Sequence, residues 1–147
     1  MSILSAEGAR RQLPLGIVFY EGPSQIDGKP IVCIATGFQR RTSNTKTGDM
    51  VQTWILRADT NPVAAIHNGA DESICAECPA RRVLDGTVNR QRACYVQVHQ
   101  APLAVFRAYR AGRYVPFDRR QNLPLFRGRM LRLGAYGDPV AVPHGVW

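Results

Sequence analysis

Apolar and polar positions along this chain change their period several times, and each change marks an element. Leu15 to Tyr20 and Ile31 to Thr36 are apolar, β-branched runs separated by EGPSQIDGKP, whose Gly, Pro and Asp residues are turn formers, so a hairpin is predicted. After the polar stretch QRRTSNTKTGD, Val51, Thr53 and Ile55 alternate with Gln52, Trp54 and Leu56. Both sets hold apolar residues, so this third strand is expected to be covered on both faces. An antiparallel meander is the simplest assembly. Asn61-Pro62 reads as an N-cap with the first helical residue and Gly69 as the stop, which predicts a short helix carrying His67. From Pro102 to Ala111 the period becomes helical: Val105, Phe106 and Tyr109 share one stripe of about 100°, Arg107 and Arg110 lie together on another face, and Gly112 caps the end. Tyr114 to Arg129, rich in proline and arginine, reads as an extended connector, and Met130 to Ala135 as a last strand ending in Gly137-Asp138-Pro139.

The expected fold class is α+β in one domain spanning residues 1–147. It consists of a meander (about 13–57), a cysteine loop (about 71–100), and a basic helix with the final strand (about 101–147). The alternative is a fragment of an α/β barrel. The apolar end, VAVPHGVW, suits a terminus docked on the core or a longer ancestor cut here. No stretch of 18 apolar residues is present, so no membrane partner is expected. MSILSAEGARR places its charges after a very short apolar run, the wrong order for a secretory signal, and a cytoplasmic location is assumed.

Charge adds a second theme. Of 19 basic residues only Lys29 and Lys46 are lysines, and beyond residue 80 twelve arginines face three acids, Asp85, Asp118 and Asp138. Guanidinium groups fork onto phosphate and stack on bases, so an arginine-rich half interleaved with Tyr95, Phe106, Tyr109, Tyr114, Phe117 and Phe126 suits nucleic acid. Arg107, Arg110, Arg113, Arg119 and Arg120 are the candidate phosphate contacts. The competing reading is a solvated surface from an arginine-biased codon usage, because charge speaks to non-specific binding rather than to activity.

Cysteine carries the most specific chemistry. Cys75, Cys78 and Cys94 form C-x2-C-x15-C, and His99 follows Cys94 after four residues. A C-x2-C step lets two thiolates reach one ion from a tight turn, and a third sulfur closes a site that needs one more ligand. Disulfides are improbable in a reducing cytosol. The stretch from Asp71 to Arg92 would be an unusually long structureless loop, and a metal would tie it down. Three thiolates with His99 would satisfy zinc, and three with an open corner an iron-sulfur cluster. If Cys94 starts a strand, residues 94, 96 and 98 share a face and His99 points to the other. His99 also reads as an ordinary surface histidine. A redox dithiol would need a helix opening at Cys75-x2-Cys78, and Pro79 with two arginines offers little of that context. Cys33 within IVCIAT reads as a core residue, and Asp71, Glu72 and Glu77 as charges that keep the loop solvated.

TSNTKTGDMVQTWIL, ICAECPAR, ACYVQVHQAPLAVFRAYRAGRY and LRLGAYGDPVAVP resemble a family of uncharacterised phage and prophage proteins over roughly residues 42 to 146. That family has a cysteine cluster closed by a Cys-Tyr pair, and related phage families look like distant relatives of radical S-adenosylmethionine enzymes. The resemblance implies that Cys75, Cys78 and Cys94 hold a four-iron cluster and that Gly137, Asp138 and Pro139 form a strand-end loop near it. The radical enzymes use C-x3-C-x2-C on one short loop, whereas 15 residues separate Cys78 from Cys94 here. Family members also run longer, which makes this chain a short or truncated version.

Other patterns carry less. SNTKTGD lacks the G-x4-G-K-[ST] spacing of a phosphate-binding loop, although Lys46 can touch phosphate. His67 and His144 have no nucleophile or carboxylate at motif spacing. Tyr95, Tyr109 and Tyr114 lack the paired metal-binding histidines of DNA-nicking enzymes.

Overall fold

The computed structural model describes residues 12–39, 48–84 and 89–147. Lys46, the Asp85-Gly86 turn and the N-terminal residues MSILSAEGARR lie outside the described residues. The fold class is α+β: a five-stranded sheet carries helices and short turns.

Strands β1 (Gly16–Pro23), β2 (Pro30–Thr36) and β3 (Val51–Arg57) form the expected antiparallel meander. Phe19 marks a bulge between the paired residues Val18 and Tyr20. The β1–β2 turn closes with Ser24 N–H donating to Lys29 O at 2.8 Å, and Gly28 supplies the left-handed φ of 75°. Thr53, Trp54, Ile55 and Leu56 are all buried, so β3 is covered on both faces. Helix α1 (Pro62–Asn68) begins where Asn61 Oδ1 accepts from Ala64 N–H at 2.9 Å and stops at Gly69, φ 83°.

The region from Asp71 to Arg92 corrects the structureless-loop expectation. It holds a one-turn helix α2 (Glu72–Cys75) and a two-stranded ribbon, β4 (Val83–Leu84) with β5 (Asn89–Arg90). Elements this short have no hydrophobic period to betray them. Cys94 to Gln97 are irregular and lead into a turn at 98–100, so the strand considered for Cys94 does not form. Helix α3 (Ala101–Arg110) buries Pro102 and Val105 and packs Phe106 and Tyr109 against the core, with Gly112 in the left-handed conformation just past its end.

The connector from Tyr114 to Arg129 is also corrected. It contains β6 (Val115–Pro116), α4 (Arg119–Asn122) and a 3-10 turn at Leu123–Phe126. Asp118 caps α4 by accepting from Gln121 N–H at 2.9 Å. Strand β7 (Leu131–Tyr136) completes the sheet in the order β6-β1-β2-β3-β7, with both edge strands parallel to their neighbours. The sheet is not a closed barrel, and its central β1–β2 and β2–β3 pairs are antiparallel, unlike the all-parallel strands of an α/β barrel fragment. The larger apolar cluster joins β2, β3 and the end of β7 to the helices, and a smaller one groups Ile17, Ala35, Phe38 and Val51 with Phe19, Leu125 and Phe126. Ala141 and Val142 are buried, and the Trp147 ring meets Phe19 edge-on at 5.3 Å. Among the described residues no helix is long and apolar enough to cross a membrane.

Candidate metal centre

The first cysteine, Cys75, ends α2, which is held from three sides. The Ser24 hydroxyl of the β1–β2 turn donates to Ser73 O at 2.6 Å, and Ser73 Oγ donates to Asp27 at 2.7 Å. The Arg57 guanidinium at the end of β3 donates to Ser73 Oγ at 3.1 Å. Beyond β7, Asp138 N–H donates to Ile74 O at 2.6 Å, so the Gly137-Asp138-Pro139 loop lies directly beside Cys75.

Between Cys75 and Cys78 the chain turns sharply. Ala76 is held at φ 49°, ψ −136°, a conformation that non-glycine residues rarely adopt and that persists only where the surroundings impose it. Arg81 does much of this. It donates to Ala76 O at 2.8 Å and to Gly69 O at 3.3 Å, and it pairs with Asp71 at 2.7 Å. Asp71 is 2% exposed, a correction to its reading as a solvating charge. A carboxylate this deep requires a cation, and no local periodicity announces a partner ten residues on.

Cys94 reaches the same place from the far side of the ribbon. Ala93 N–H and Cys94 N–H both donate to Ala80 O, at 2.9 and 3.2 Å, while Cys78 N–H donates to Cys75 O at 3.2 Å. The three half-buried cysteines form no disulfide with one another, and Cys75 feels the charges of both Cys78 and Cys94. Burial first, then Asp71, pushes the Cys75 thiol up to about 12, with Arg81 opposing. Cys33 is fully buried in β2 as a core residue.

The donor chemistry suits a soft metal site. Three thiolates and a divalent ion leave one negative charge. Arg92, which donates to Cys94 O at 3.3 Å, can balance it, while Asp71 and Arg81 balance each other. Among the described residues, however, no three His, Cys, Asp or Glu side chains already stand at ligating distances. The backbone gathers the cysteines, and coordination requires their sulfurs to close in. His99 stands exposed on the turn before α3. His67, also exposed, has Nδ1 2.9 Å from the Arg82 guanidinium.

One group that gives no sign of itself in the sequence points into this region. Tyr136, the last residue of β7, is 4% exposed, and its hydroxyl has no hydrogen-bond partner among the described residues. Burial, then Cys75, Asp71 and Cys94, push its phenol well above the usual range, with Arg92 opposing. A tyrosine at the end of an alternating strand carries no sequence signal for such a place.

The candidate phosphate contacts lie elsewhere. Arg107 and Arg110 stand on the exposed side of α3, Arg113 follows it, and Arg119 and Arg120 open α4; all five are exposed. Arg110 donates to Ala58 O at 3.4 Å. Among the described residues the ion pairs are Arg57–Asp59 and Arg81–Asp71, so none of the five is neutralised by a described carboxylate. No family model, curated protein or solved structure matches this chain.

Proposed function

We propose that this protein is a metalloprotein in which Cys75, Cys78 and Cys94 hold zinc or an iron-sulfur cluster. The observation that carries the reading is the convergence of the Cys94 backbone on Ala80, two residues past Cys78 and beside the helix that presents Cys75. Two segments separated by a 15-residue excursion bring their backbones together in one small region beside the Asp71–Arg81 pair. A buried ion pair and a strained turn hold it. The thiols require a reducing compartment to stay available.

The test is metal analysis with an absorption spectrum on protein purified without oxygen. Stoichiometric zinc and a colourless solution assign a structural site. Iron with sulfide and broad visible absorption assign a cluster. Cys78→Ser should lose the metal in either case, and a Cys78→Ser protein that keeps its metal rejects the site.

A second reading is favoured by the five exposed arginines that no described carboxylate neutralises. They suit nucleic-acid phosphate. On duplex DNA the logarithm of affinity should then fall linearly with log salt at a slope of about −0.9 per neutralised phosphate. Arg107→Ala with Arg110→Ala should flatten that slope by about 2, roughly 1 for each arginine removed from a phosphate. Absence of binding at low salt removes this reading.

A further inference from the structure

A buried hydroxyl without an acceptor is unfavourable, and native proteins retain one where another state of the molecule supplies the partner. Tyr136 is such a group, 4% exposed and unpartnered among the described residues. Its strand end is pinned to the cysteine helix, because two residues later Asp138 N–H donates to Ile74 O, the carbonyl just before Cys75. A neutral thiol is a weak hydrogen-bond acceptor. A thiolate bound to a metal keeps sulfur lone pairs and negative charge, and a charged acceptor strengthens the bond.

We infer that Tyr136 is a positioning residue of the cysteine centre, its phenol O–H donating to a cysteine thiolate, Cys75 Sγ before the others, when a metal is bound. The inference rests on the metal reading above and deepens it. Nothing among the described residues accepts from the hydroxyl, and a metal-bound thiolate would supply the acceptor. Outer partners of this kind change metal affinity by about 10–100-fold when removed.

Tyr136→Phe removes the oxygen and keeps the ring. In the full chain, zinc affinity is read by competition with a chromophoric chelator, and metal-free stability by urea unfolding. Tyr114→Phe, whose ring lies against Gly16 on the far edge of the sheet, is the control. The expected result is a loss of zinc affinity of about 10- to 100-fold in Tyr136→Phe, with a metal-free midpoint equal to or above that of the wild type, and no affinity change in Tyr114→Phe. Equal zinc affinity in Tyr136→Phe and wild type overturns the inference and leaves the metal site standing. A lowered metal-free midpoint also overturns it, because the hydroxyl would then serve the apo fold. A wild-type chain that binds neither zinc nor an iron-sulfur cluster removes the metal reading and this inference together.

Discussion

Arg81→Ala isolates the forces that build the cysteine region. The guanidinium pairs with Asp71 at 2.7 Å, both side chains are nearly out of solvent at 11% and 3% exposure, and the same group donates to the Ala76 and Gly69 carbonyls. Removing one partner of a buried pair leaves an uncompensated charge, which costs about 3–5 kcal/mol. At roughly 2–4 °C per kcal/mol for a chain near this size, the melting temperature should fall by roughly 6–20 °C. Thermal unfolding of the metal-free protein by circular dichroism measures it. The double variant Asp71→Asn with Arg81→Met, which removes both charges, should recover more than half of the loss. Asp59→Ala supplies the contrast: its carboxylate is 51% exposed in its pair with Arg57, so about 0.2–1 kcal/mol is expected. An Arg81→Ala protein within about 1 kcal/mol of wild type, or no recovery in the double variant, would refute the assignment of Asp71 as a buried, paired charge.

Two further outcomes follow from the same structure. At Gly137, φ 85°, an added Cβ would stand 2.6 Å from Ile55 Cβ and 2.8 Å from Ile55 O, whereas at Gly28, φ 75°, it would meet nothing within 4 Å. Gly137→Ala should therefore cost at least about 2 kcal/mol more in urea unfolding than Gly28→Ala, which carries only the left-handed strain of about 1–2 kcal/mol. Alkaline pH should destabilise the metal-free protein. Burial lifts Cys75 from 9.0 to about 12 and Cys33 higher still, so the unfolded thiols ionise first. The stability they contribute is intact below pH 9 and is lost as pH climbs toward 12. The urea midpoint should drop between about pH 9 and about pH 12, less steeply in Cys33→Ala, and a flat profile contradicts the buried-thiol account.

The meander, α1, α3 and the last strand were legible because each carries a full hydrophobic period or a capping pair such as Asn61-Pro62 with Gly69. What escaped has no such pattern. Helix α2 is one turn long, and its place depends on Ser24, Asp27, Arg57 and Asp138, all distant in the chain. The C-x2-C-x15-C spacing named the three thiols, but the short ribbon that returns Cys94 to Ala80 is set by two pairs of residues and cannot be read locally. Asp71 and Tyr136 were hidden for a related reason: an acid beside glutamates looks solvated and a strand tyrosine looks like core, until tertiary packing gives one a buried cation and the other no partner among the described residues.

The most direct test of the cysteine centre is a cobalt(II) titration of the metal-free protein under reducing conditions, followed by absorption. The account predicts a thiolate-to-cobalt charge-transfer band with tetrahedral visible bands that saturate at one equivalent, vanish on adding zinc, and fail to form in Cys94→Ser. A spectrum that stays that of hydrated cobalt, in a chain that remains folded, would contradict it.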